Sequence, residues 1–469
     1  MRLTASRRSL ALAALALAGL ACTCPIGALV GELRQPTADP QPTAAPQEPP
    51  VLPADDSGGP APEQTPAAGL SSEITTQMAE IESQVVRLRG LQPTGPVGRE
   101  LLSPEQLHQH VLDEFLADYT QQEAEDDALA LALLGLLAPD YDIYTLYLDL
   151  YDEQIAGFYD DEVKQMFVVQ GAGFGGTERV THAHEYTHAL QDQRYGLSEG
   201  LGYNDEACEA DSERCAGIQA LVEGDATLLE QQWLLTYGTD QDWDDINRFY
   251  DNYQSPVFDS APLFLQQDFL FPYDFGYAFV NSLFLEGGWA AVDAAYADPP
   301  SSTEQILHPD RYPWDRPIRL QVPDLVPALG EGWREADRDV LGEWFTRLVL
   351  QEQLDAAQAE PGAQGWGGDY YLAFHHDGLG QGALVLLTQW DSLREAYEFL
   401  GGFRQYAGAR FGERVFSETT QASWEGREGY ATVEVRGDQT LWILAPDVGT
   451  AAALREAVPF PAERVPTEG

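Results

Sequence analysis

The chain has 469 residues, enough for two or three domains, and its 44% hydrophobic and 11% aromatic content can fill sizeable cores, which excludes disorder throughout. It carries 76 acidic residues against 26 basic ones, a formal net charge of −50. Nucleic acid and anionic membrane surfaces repel such a chain, so nucleic acid is excluded as a partner.

Residues 1–21 have the three parts of an export signal: Arg2, Arg7 and Arg8, then an apolar run from Leu10 to Ala21, then small residues and Cys22. The run is too short and alanine-rich to be a stable membrane span. Ser6-Arg7-Arg8-Ser9-Leu10 is similar to a twin-arginine export motif. Gly19-Leu20-Ala21-Cys22 resembles a lipoprotein processing site, with Gly19 where leucine is usual. The expectation is an exported protein lipidated at Cys22 and anchored to the outer face of the cell membrane, or otherwise secreted. Residues 22–70 are rich in Pro, Ala, Thr and Gln from about Arg34 onward and cannot bury enough surface to fold, so they read as a tether.

From residue 71 to 150 apolar residues recur at helical spacing, as in Met78-Ile81-Val85 and Leu107-Val111, and predict a helical layer with one helix starting at Ser103-Pro104. Residues 154–159 and 165–169 read as a β-hairpin around Asp160–Lys164. After the break at Gly171–Gly176, a helix starting near Thr177 carries His184-Glu185-Tyr186-Thr187-His188. Cys208 and Cys215, in an exported protein, predict a local disulfide closing a small loop. A second helix starts at Ile218 and runs to about Leu235, and Pro272–Gly288 and Trp289–Tyr296 look helical too. The tail, residues 331–469, has strands at 370–374, 382–388, 431–435 and 440–444 interleaved with two helices, a ββαββα order that suggests a separate α+β domain. The fold class is therefore α+β: a mainly helical catalytic region, 151–330, with a small hairpin, followed by that domain.

On a helix, residues four apart share a face, so His184 and His188 can point both imidazoles at one metal while Glu185 sits beside it. Zinc suits imidazole nitrogen plus one carboxylate and leaves a position open for water, from which Glu185 takes a proton as general base. A third ligand must come from elsewhere. A histidine six residues after the second would fall at Arg194, which excludes that completion. The choice is Glu223, in Leu221-Val222-Glu223-Gly224-Asp225-Ala226, with Gly224 permitting close approach of the two helices; Asp225 and Glu230 are the competing carboxylates.

This combination resembles the gluzincin metallopeptidases, the thermolysin-like group with HExxH and a downstream zinc-binding glutamate. The wider context, with His188-Ala189-Leu190-Gln191-Asp192-Gln193 after the motif and Glu-Gly-Asp-Ala at the third ligand, is similar to bacterial lipoproteins of the peptidase-MA kind. The resemblance spans about residues 150–315 and implies that the 158–169 hairpin supplies the strand that pairs with extended substrate. It also implies an oxyanion role for Tyr273, in Tyr273-Asp274-Phe275-Gly276, although Tyr273 or Tyr277 can equally be a packed tyrosine. His308 is a further candidate for that role or for substrate contact, with a structural histidine near a helix end as the alternative. His182 faces the opposite side of the helix, and His108, His110, His375 and His376 read as structural or solvated. The acidic run Asp240–Asp251 reads as a calcium candidate or an exposed loop. The expected function is zinc-dependent hydrolysis of a protein or peptide substrate outside the membrane; the alternative is a non-catalytic, zinc-containing binding or assembly lipoprotein.

Overall fold

The computed structural model describes residues 70–117, 119–169 and 173–465, so the expected export signal, Cys22 and the tether up to residue 69 lie outside the described residues. Helix α1 (Ser72–Arg89) opens where the Ser71 hydroxyl accepts the Ile74 amide, and it stops at Gly90, whose φ of +84° suits glycine. It buries the predicted Met78, Ile81 and Val85 stripe. Strand β1 (Gly98–Leu102) leads to α2 (Pro104–His110), which starts at Ser103 with a reciprocal Ser103–Gln106 cap, and then to α3 (Gln121–Leu134) and α4 (Ile143–Gln154). Strands β2 (Gly157–Asp160) and β3 (Gln165–Val169) form the expected hairpin, and β1 joins β3 in parallel, which leaves β2 at the sheet edge.

The motif helix is α5 (Gly176–Tyr195), followed by α6 (Asp205–Ala210) and α7 (Ser212–Tyr237). Cys208 and Cys215 form the expected disulfide. Cys215 nevertheless lies inside α7, which begins at Ser212 and not at Ile218, because the Asp211 carboxylate caps the Arg214 amide within the bridged segment. Then come α8 (Asp240–Asn252), α9 (Pro256–Ser260), α10 (Leu263–Gly287) and α11 (Trp289–Ala297). The acidic 240–251 run is α8, and its carboxylates cap the helix and pair with arginine: Asp242 takes the Thr239 amide and Arg179, and Asp245 takes Arg248. Helix α10 starts at Leu263, ahead of the expected Pro272, which sits inside it.

Helices α7 and α10 touch backbone to backbone. A Cβ on Gly224 would stand 2.2 Å from the Gly276 carbonyl oxygen, and one on Gly276 would stand 2.2 Å from that of Ala220. Gly224 thus serves the contact with α10 and not, as its position after Glu223 suggested, the contact with α5. One residue is about 100° of helix rotation, so Gly224 turns away from the face that Glu223 presents to α5. On the other side α1 is fastened by a fully buried ion pair, Arg89 to both oxygens of Asp225 at 2.8 and 3.0 Å, with the guanidinium over the Trp289 ring and the Tyr296 hydroxyl donating to the same carboxylate.

After α12 (Thr303–Leu307), β4 (Arg319–Leu320) and α13 (Val326–Leu329), the chain builds a seven-stranded antiparallel sheet. Its elements are β5 (Trp333–Asp339), α14 (Gly342–Gln351), α15 (Ala356–Ala363), β6 (Trp366–His376), β7 (Gln381–Trp390), α16 (Leu393–Phe411), β8 (Arg414–Ser417), β9 (Gln421–Gly426), β10 (Gly429–Arg436) and β11 (Gln439–Ala445); α17 (Val448–Ala457) follows, and β12 (Arg464–Val465) returns to pair with β4. The order is β5-β6-β7-β11-β10-β9-β8. The ββαββα reading therefore lacked β5, β8 and β9: β5 is largely charged, and β8 is exposed along its whole length, so neither shows apolar alternation.

The sheet is buried on both faces. Ala383, Val385 and Leu387 with Leu441, Ile443 and Ala445 turn toward α13 and α17; Leu384, Leu386, Trp442 and Leu444 join a core that runs on through α16, α3, α10 and α7. Helix α3, from the N-terminal layer, is held on this sheet by α16, whose Tyr406 hydroxyl and Arg410 guanidinium donate to the Ala132, Leu133 and Leu134 carbonyls. The tail is therefore packed into the rest and shares its core. Among the described residues no helix is long and apolar enough to cross a membrane.

At the junction, buried Glu213 accepts both the amide and the hydroxyl of Thr303, and buried Asp369 accepts the Leu341 and Gly342 amides and the Trp366 indole. Burial pushes Glu213 up to about 8 and Asp369 up to about 6. Between its ordinary 4.5 and about 8, folded Glu213 binds a proton that the unfolded chain releases, so stability falls as pH rises through that window. Glu213→Gln is expected to flatten this fall in denaturant unfolding followed against pH. Gly276→Ala is expected to cost on the order of 1–3 kcal/mol in the same assay, whereas Gly408→Ala, with open space around it in α16, is expected to be neutral or slightly stabilising.

Candidate metal centre

Helix α5 carries His184, Glu185 and His188, and α7 brings Glu223 against them. The two imidazoles meet edge to face with ring centres 4.7 Å apart. Their Nε2 atoms converge on one oxygen: Glu223 Oε2 lies 3.2 Å from His184 and 3.5 Å from His188. Each Nδ1 is engaged on the outer side, His184 with Glu230 Oε2 at 3.0 Å and His188 with Gln191 Oε1 at 2.8 Å. All six side chains are almost completely buried.

Burial of polar atoms costs free energy unless they find partners, and here several have none. Both carboxylate oxygens of Glu185, Glu223 Oε1 and His188 Nε2 are buried without a hydrogen bond. The Tyr159 amide of β2 faces Glu185 without closing a regular bond. A divalent cation between the imidazoles and Glu223 would satisfy the inward atoms, and the three ligand atoms lie within 4.8 Å of one another. By donor type, burial and spacing, His184, His188 and Glu223 could hold a metal ion.

The electrostatics fit that reading. Burial pushes Glu223 up, but the adjoining His188 and His184 outweigh it and hold the carboxyl at about 2. Burial pushes His184 down, but Glu223 and Glu230 on its two nitrogens raise it well above the usual imidazole range. Glu185 is raised well above the carboxylate range, first by burial and then by Glu223 and Glu230, against the pull of His184. A dication at the triad supplies positive charge that favours ionised Glu185 and neutral imidazole.

The competing carboxylates are accounted for. Asp225 is bound to Arg89 and Tyr296, and Glu230 sits behind His184 as its hydrogen-bond acceptor. Tyr273 comes to the site from α10, buried, with its ring 6.4 Å from that of His184. His308 caps the end of α12, and its Nε2 bonds Glu343 of α14 at 2.8 Å. His182 bonds Glu82 of α1, on the far side of α5 from the triad. Gln191 and Glu230 were not assigned as supporting residues from sequence. Their signal was there, because Gln191 follows His188 by one helical turn and Glu230 follows Glu223 by two.

The other carboxylate group of metal-like spacing, Glu304, Asp315 and Asp391, already surrounds a cation: Arg311 Nη1 lies 2.7, 2.9 and 2.6 Å from them. Residues 329–455 match a family model described as a domain of unknown function (DUF8575), which spans β5 to most of α17 and leaves the triad outside it. No curated protein matches the chain, and no solved structure does.

Because Glu223 and Glu230 hold a proton on His184 well above its ordinary value, metal binding must expel it, and affinity for a divalent ion is expected to rise with pH beyond neutrality. Calorimetry in buffers of different ionisation enthalpy reads the proton released. Glu230→Gln, which keeps an acceptor and removes the charge, is expected to move that pH dependence to lower pH.

Proposed function

We propose that this chain is a zinc-dependent peptidase of the thermolysin-like kind, acting outside the cytoplasmic membrane, either anchored through Cys22 or secreted. The observation that carries the reading is the buried, unpaired Glu185 carboxylate beside two imidazoles and a glutamate. A structural metal site has no use for such a group, whereas hydrolysis needs it as a base.

Two imidazoles and one carboxylate are a catalytic zinc donor set. Ligand atoms about 2.1 Å from a tetrahedral ion stand roughly 3.3–3.4 Å apart, by geometry from usual zinc distances. The Nε2–Oε2 separations of 3.2 and 3.5 Å bracket that value. Bound there, zinc supplies a Lewis acid and lowers the pKa of a water to about 7.

Glu185 takes a proton from the attacking water as its oxygen adds to the carbonyl carbon, and delivers that proton to the amine nitrogen as the C–N bond breaks. Tyr273, whose ring lies 6.4 Å from that of His184, would donate its phenolic hydrogen to the carbonyl oxygen as negative charge develops there. Strand β2, at the sheet edge, lies against Glu185: a Cβ on Gly157 would be 3.5 Å from Glu185 Cγ. That placement supports pairing of an extended peptide along β2. The ligands and base are buried, so substrate entry requires the chain covering them to move.

Glu185→Gln is expected to bind one zinc per chain and to lose cleavage of a mixed peptide library by at least a hundredfold, the usual scale of a lost general base. Unchanged turnover would reject Glu185 as the base. A wild-type chain holding one zinc and cleaving no peptide would favour a binding or assembly role.

A further inference from the structure

We propose that Gln191 is a positioning residue that selects the metal-ready tautomer of His188 and ties that ring to the backbone carrying Glu223; this rests on the metal reading above. Gln191 is fully buried on α5, one turn beyond His188. Its Nε2 donates to the Val222 carbonyl at 3.0 Å and its Oε1 faces His188 Nδ1 at 2.8 Å. A carbonyl oxygen can only accept, so Val222 fixes the amide with nitrogen toward α7 and oxygen toward His188. An amide oxygen can likewise only accept, so His188 Nδ1 carries the proton. Nε2 then keeps its lone pair and directs it at Glu223 Oε2, 3.5 Å away. The tautomer is therefore dictated by a main-chain carbonyl one residue before the third ligand.

The same two bonds link α5 to α7 beside the triad. His184 is held differently, by Glu230, whose carboxylate accepts from the imidazole Nδ1 at 3.0 Å. An amide is required at 191: glutamate would set a carboxylate against the Val222 carbonyl, and methionine would fill the space with neither bond. If the amide merely satisfied Val222, its loss would lower stability and leave the metal affinity of the folded protein alone.

Two measurements decide the matter. In the metal-free wild-type protein, long-range nitrogen–proton correlation of labelled histidine, followed to a pH at which the ring is neutral, is expected to show His188 as the Nδ1–H tautomer; a neutral Nε2–H form would overturn the proposal. Competition with a chromophoric chelator is expected to show zinc bound 10–100-fold more weakly by Gln191→Met and Gln191→Glu, the usual scale for lost outer-shell partners, with Gly408→Ala unchanged. Wild-type affinity in either Gln191 variant would overturn it. Should Gln191→Met not fold, Gln191→Glu and the wild-type spectrum still decide. A wild type that binds no zinc would sink the peptidase reading, while the tautomer would still judge Gln191.

Discussion

The backbone contact between α7 and α10 at Gly224 and Gly276 fixes the rotation of α7, and the site depends on that rotation. Because a Cβ on either glycine would stand 2.2 Å from a carbonyl oxygen of the other helix, neither helix can turn or withdraw without losing the packing. Three consecutive residues then serve three neighbours at steps of about 100°. Glu223 faces α5 and the imidazoles, Gly224 meets α10, and Asp225 takes Arg89 from α1 and Tyr296 from α11. Glu230, two turns after Glu223, returns to the same face and lands behind His184. Glu-Gly-Asp is thus a packing instruction as much as a chemical one.

Polar groups buried around these helices are mostly paired, because an isolated charge in the interior costs several kcal/mol. Arg89 has Asp225, Arg99 has Glu82, and Glu82 also takes His182. Trp233 donates its indole to Gln84. Buried atoms without a hydrogen bond occur elsewhere on these helices, as at Thr227 and Gln231, but those of Glu185, Glu223 and His188 belong to the triad or to the residue beside it. The same low-dielectric setting that penalises them uncharged by any cation makes a bound dication strongly held and makes its effect on Glu185 large.

The site was legible in the sequence to the extent that it is local. His184, Glu185 and His188 sit on one stretch of helix, and Glu223 follows from needing a carboxylate on the next long helix; the α1 stripe and the 157–169 hairpin follow from periodicity alone. What depends on distant partners was not legible. His308 is 35 residues from Glu343, and nothing near it in sequence says which histidines end in ion pairs. Gly224 and Gly276 are 52 positions apart, so the glycine was matched to the wrong helix. Helix α3 reads as part of an N-terminal layer, yet its cover is a sheet whose strands begin two hundred residues later, and β5 hides its strand character under charged side chains.

The extreme acidity sharpens the case for a single metal centre. With 76 carboxylates available, a divalent ion has many weak competitors, and selectivity requires that closely grouped ones already hold a cation. Arginine does this at the other grouping, where Arg311 sits among Glu304, Asp315 and Asp391; the planar, always-charged guanidinium holds several oxygens at once, which a strongly hydrated ammonium does less well. At the triad, the contacts among the described residues bring imidazoles to Glu223 and no arginine or lysine. Imidazole is a neutral donor that an acidic surface does not offer, and it favours zinc over calcium or magnesium, which prefer oxygen. The fold therefore surrounds its grouped carboxylates in two ways: a guanidinium lies among Glu304, Asp315 and Asp391, and histidine nitrogens converge on Glu223.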